Sequence, residues 1–154
     1  MADPVDAFLD LSVSLTGFSH FQLLGTGMAE VYRSTLEQVL PADVLLRVLR
    51  AAAENQPPPQ ILADPDLGPV ARNLVLLWYC GTWTPLPDDW RERHGTCAFD
   101  THRVISAEAY RSGLQWVAAG AHPAGAYQQG FGAWALPPDV LAPGASPLLR
   151  RSVA

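Results

Sequence analysis

The sequence predicts a small all-α domain of about five helices, followed by an extended Gly- and Pro-rich C-terminal arm. Three observations predict it. Apolar residues recur at helical spacing, the segments start at cap-and-Pro pairs and stop at Gly, and strand-type alternation is weak throughout. Residues 1–119 read as the helical domain and 120–154 as the arm.

Asp3-Pro4 reads as an N-cap followed by Pro at the first helical position, and Phe8, Leu11 and Leu15 beside Val5, Leu9 and Val13 form two adjacent apolar rows. Gly17 stops this helix. A second helix is expected from about Phe21 to Gln38, with Leu24, Met28, Val31 and Thr35 on one face and Gly25 and Gly27 permitting close approach of a neighbour. A third begins near Pro41 and buries Val44, Leu45, Val48, Leu49 and Ala52, with Arg47 and Arg50 outward. Asn55 to Gln60, containing Pro57-Pro58-Pro59, reads as a stiff polyproline-like connector.

Asp64-Pro65 opens the fourth helix, which carries Leu67, Val70, Ala71, Leu74, Leu77 and Trp78 on one face and stops at Gly81. Thr82 to Arg103 is polar and non-periodic, so it is expected as a surface excursion rather than core. Ser106 caps a fifth helix with Glu108 in its first turn, Tyr110, Leu114 and Val117 on its buried face, and Gly120 at its end. From Gly120 onward five Gly, five Pro and only three charged residues exclude both a plausible helix and a typical charged disordered tail.

A length of 154 residues fits one domain and is too short for most cofactor-binding folds with a substrate domain added. Only 16% of residues are charged, well below the usual quarter, and 49% are hydrophobic, so much of the surface must be neutral or apolar. That points to a partner. The net charge is −5 and no basic stripe exists, which argues against nucleic-acid binding. The uncharged apolar run Asn73 to Pro87 is broken by Gly81, Pro85 and Pro87, far short of the ~20 residues a membrane span needs. No positive segment precedes a long apolar run, so the chain as written is expected to be cytoplasmic. It would be periplasmic if a signal had been removed or a partner supplied one.

Catalytic and metal chemistry is thinly represented. His94-x2-Cys97-x4-His102, with Cys80 and Asp100 nearby, is the one metal-like spacing, and it matches no standard zinc module. An ordinary polar loop explains it better. Gly25-Thr26-Gly27 lacks the third glycine, the Lys and the preceding strand of a phosphate loop. Ser106 or Cys80 with His102 or His122 would form a nucleophilic dyad, but Ser106 is better explained as a cap and Cys80 as a small buried residue. The alternative to a binding protein is therefore a small stand-alone helical enzyme or metal protein built on His94, Cys97, His102 and His122.

Six segments resemble, in order, the small subunit of FAD-dependent sorbitol dehydrogenases. They are Leu11 to Phe18, Gly25 to Tyr32, Leu77 to Trp83, Ala109 to Trp116, Gly120 to Gly125 and Gly132 to Pro138. The small subunits of bacterial FAD-dependent fructose, glucose and gluconate dehydrogenases are more distantly similar. The resemblance spans roughly residues 8 to 138. It implies a non-catalytic, mostly helical subunit with no cofactor of its own, whose large partner of the glucose-methanol-choline oxidoreductase type holds FAD and oxidises a sugar or polyol. Such small subunits help the catalytic subunit fold, mature or leave the cytoplasm. They usually carry a twin-Arg export signal, from which this chain departs.

Trp and Arg dominate the anchoring energy of protein interfaces, so aromatics that the helices do not obviously bury are the contact candidates. They are Trp83, Trp116, His122, Tyr127, Phe131 and Trp134, with Arg111 as a charge-assisted anchor.

Overall fold

The computed structural model describes residues 4–95 and 97–121, and that part of the chain is mostly helical. Helix α1 (Pro4–Thr16) buries Phe8, Leu9 and Leu11. Its two polar core positions satisfy themselves locally: the Ser12 hydroxyl donates to Phe8 O at 2.8 Å and the Thr16 hydroxyl to Ser12 O at 2.7 Å. Such back-bonding removes the cost of burying a hydroxyl. Gly17 then turns the chain with φ 77°.

The expected second helix is two. Helix α2 (His20–Gly25) starts at a capping box, in which Ser19 accepts from Gln22 N and the Gln22 side chain accepts from Ser19 N. Helix α3 (Ala29–Val39) follows a break at Thr26-Gly27. The Thr26 hydroxyl donates to Leu23 O and accepts from Met28 N, and Gly27 takes φ 70°, so the pair ends one helix and orients the next. The close approach expected at Gly25 and Gly27 is absent, because a β-carbon at either would meet nothing within 4 Å.

Helix α4 (Ala42–Ala53) buries Val44, Val48 and Ala51, as its periodicity requires, and packs on α1. The polyproline-like connector is shorter than expected. Pro57 is extended, but Pro58 and Pro59 enter the first turn of α5 (Pro58–Ala63), where their missing N–H groups cost nothing.

Helix α6 (Leu67–Cys80) is the axis of the domain, touching α1, α3, α4, α5, α8 and α9. The Asp64 carboxylate accepts from Asp66 N and Leu67 N at its start, and Gly81 ends it in the left-handed region with φ 66°.

Thr82 to Arg103 is not a surface excursion. Strand β1 (Thr82–Trp83) pairs antiparallel with β2 (Arg103–Val104) in the register Thr82 with Val104 and Trp83 with Arg103. Helix α7 (Asp88–His94) lies between them, and Trp83, Leu86 and Trp90 enter the core. The fifth helix is also divided, into α8 (Ala107–Arg111) and α9 (Leu114–Ala118), with Ser106 capping the first through Ala109 N. Gly113 separates them because a β-carbon there would sit 2.5 Å from Tyr79 O. The register shifts accordingly: Ala109 and Leu114 are buried, whereas Tyr110, expected inside, is 40% exposed.

Candidate partner interface

The candidate contact residues separate into three groups. Trp83, expected at a surface, is enclosed instead: it is 0% exposed and its indole N–H donates to Asp100 Oδ1 at 2.8 Å. Its direct use as a contact is corrected by that placement. The cause is the carboxylate of Asp100, itself buried, which also accepts from Leu86 N and from Arg91 Nε at 2.9 Å and so draws the loop inward.

Arg111 and Trp116 do lie at the surface side of α8 and α9. Arg111 is exposed and pairs with Glu108 one turn earlier, Nη2 to Oε2 at 2.7 Å. Trp116 is half-buried, donates its indole N–H to Tyr110 O at 2.9 Å and sets its ring edge-on to Tyr110 at 5.4 Å. Trp116 and Tyr110 thus form an aromatic pair of the kind that anchors interfaces. His122, Tyr127, Phe131 and Trp134, together with residues 122–154 of the expected arm, lie outside the described residues.

Sequence reasoning missed other exposed apolar side chains. Phe21 is 86% exposed and Leu24 53%, and they stand one turn apart on α2. Their i, i+3 spacing was visible, but the assumption of one long helix placed Leu24 on the buried face. Leu23 occupies the core in its stead. Val31, Phe99 and Val104 are exposed as well, around α3 and β2.

The titratable groups singled out by spacing are dispersed. His94 Nε2 lies 2.9 Å from Asp66 Oδ1, with its ring on Trp90 at 4.6 Å. Asp66 also accepts from Arg47 Nη1 at 2.9 Å and Arg93 Nε at 3.2 Å, tying α6 to α4 and α7. The hydrogen bond from His94, then those from Arg47 and Arg93, hold its carboxyl well below the usual carboxylate range. Cys97 Sγ donates to Gln38 O at 3.2 Å, Cys80 Sγ lies 3.6 Å from Gln115 Oε1, and both thiols are free. Among the described residues no three His, Cys, Asp or Glu side chains converge in a metal-binding group. Burial in the bundle pushes the Tyr32 phenol up, with Cys80 adding to the shift.

Four of the segments quoted for the resemblance meet one another around the end of α6. The Tyr79 hydroxyl donates to Thr16 O at 3.1 Å, and the Phe18 ring stands edge-on to Tyr79 at 6.0 Å. Tyr32 packs edge-on against Trp78 at 4.9 Å. At Gly81 a β-carbon would strike Ala109 O at 2.7 Å, and Gly113 presses on Tyr79 O. Residues far apart in sequence therefore form one junction, and their side chains are committed to packing.

No family model, no curated protein and no solved structure matches the chain. No helix among the described residues is long and apolar enough to cross a membrane.

Proposed function

We propose that the chain is a non-catalytic accessory subunit that binds and stabilises, or helps mature, a FAD-dependent sugar or polyol dehydrogenase of the glucose-methanol-choline type. One observation carries most weight: residues from four of the six segments that resemble the small subunits gather at a single packing junction around Gly81. Side chains spent on holding helices together are what a shared structural subunit needs. The exposed apolar side chains on α2, β2 and α8 supply surface for a partner to cover. In this reading FAD and the reacting alcohol belong to the partner.

Co-expression with the glucose-methanol-choline flavoprotein of the same source tests it. The two chains should co-elute on size exclusion, and omitting this chain should lower the flavin content and dye-linked dehydrogenase activity of the flavoprotein. Separate elution with unchanged flavin content would overturn the proposal.

A further inference from the structure

We infer that the groove between α3 and β2 receives an acidic side chain of the partner subunit, with the Arg103 guanidinium as its counter-charge. The inference rests on the accessory-subunit reading and names the surface that reading leaves open. The groove holds about 400 Å³ and is walled by Val31, Ser34 and Gln38 from α3 and by Arg103 and Ile105 from the other side. Alternation along an extended strand puts Arg103 and Ile105 on the same face.

Arg103 is the unanswered charge of this region. Its Nε is enclosed but has no hydrogen-bond partner, and among the described residues its guanidinium has no ion-pair partner. Arg47, Arg91, Arg93 and Arg111 are all matched to carboxylates. The guanidinium carbon stands 5.7 Å from the centre of the Phe99 ring, which positions the group without neutralising it. Glu30 also borders the groove, but its carboxylate is engaged by Arg33 at 3.0 Å.

Arg103 lines the groove, so a carboxylate entering it answers the guanidinium charge in the two-oxygen geometry that Arg favours. The Ser34 hydroxyl and Gln38 amide offer neutral donors across the gap. Val31 and Ile105 make the remaining wall apolar, and Phe99 adds exposed apolar surface beside Arg103. That combination selects an Asp or Glu flanked by an apolar residue on a protein surface, with Arg as the interface anchor.

The test measures affinity for the flavoprotein subunit by biolayer interferometry, using the full chain. Arg103→Gln should weaken binding at least about 30-fold, as losing one member of an enclosed charge pair does. Ser34→Glu, which places a competing carboxylate on the facing helix, should weaken it comparably and supplies an independent probe should Arg103→Gln misfold. Rising salt should weaken the parent complex more than the Arg103→Gln complex. Binding by both variants within about threefold of the parent overturns the groove while leaving the accessory-subunit reading standing. Failure of the parent chain itself to bind overturns both.

Discussion

Replacing Asp100 by Ala should be among the most damaging single changes in the domain. The carboxylate is 4% exposed and serves three donors: Trp83 Nε1 at 2.8 Å, Leu86 N at 3.0 Å and Arg91 Nε at 2.9 Å. Ala leaves two fully enclosed N–H groups without an acceptor, at about 1–3 kcal/mol each. Arg91 keeps its bond to Asp100 O at 3.0 Å, so the charge it loses adds little more. The sum is about 2–6 kcal/mol, a large part of the ~5–15 kcal/mol that holds a typical domain together. At this size the melting temperature should fall by roughly 5–25 °C. Asp100→Asn retains one acceptor oxygen and should cost only about 1–2 kcal/mol. Urea denaturation followed by tryptophan fluorescence reads both, since Trp83 itself reports the change. If Asp100→Ala lies within about 1 kcal/mol of the parent, or Asn costs as much as Ala, the carboxylate does not organise this loop.

Acid sensitivity should trace to Asp66. Its folded pKa is depressed by His94, Arg47 and Arg93, so its contribution is present above the unfolded value of about 3.9 and is lost as pH falls through the folded one. Asp66→Asn should therefore lower stability near neutral pH and flatten the loss below about pH 4, as pH-resolved urea melts will show. The glycines should divide by surroundings. Gly81→Ala should cost about 2–4 kcal/mol, because φ is 66° and the new methyl would meet Ala109 C at 2.5 Å. Gly25→Ala, with open space around it, should be neutral or stabilising by up to ~1 kcal/mol in the same melt. Equal effects at the two sites would refute this division.

Long amphipathic helices were legible in the sequence, and short ones were not. Helices α1, α4 and α6 announce themselves because two or more turns repeat the same apolar face, with Gly17 and Gly81 marking stops. The break between α2 and α3 depends on one hydroxyl, that of Thr26, bonding backward to Leu23 and forward to Met28, which no periodicity expresses. The break at Gly113 depends on contact with Tyr79, a residue of another helix. The same limit applies to Thr82–Arg103, where a polar sequence is drawn inward because Asp100 gives Trp83, Leu86 and Arg91 a common acceptor. That Arg111 and Trp116 reach the surface was legible from residue type. Phe21 and Arg103 were not, because their exposure and lack of partners are properties of the assembled fold.

The burial of Trp83 changes which surface a partner would have to use. Five tryptophans in so short a chain suggested an aromatic interface, yet Trp78, Trp83 and Trp90 are each 2% exposed or less. Each is tied in by neighbours: Trp78 by Tyr32 and Phe8, Trp83 by Asp100, and Trp90 by Asp66 O at 2.9 Å. High tryptophan content is thus accounted for in large part by the core, and it no longer argues for binding by itself. What argues for binding is unpaired surface: Phe21 and Leu24 side by side on α2, and an arginine without an ion-pair partner among the described residues beside exposed Phe99. Apolar area and an unmatched charge in one patch are both relieved by a single acidic-apolar contact, whereas neither is relieved by further folding of the helices that already surround α6.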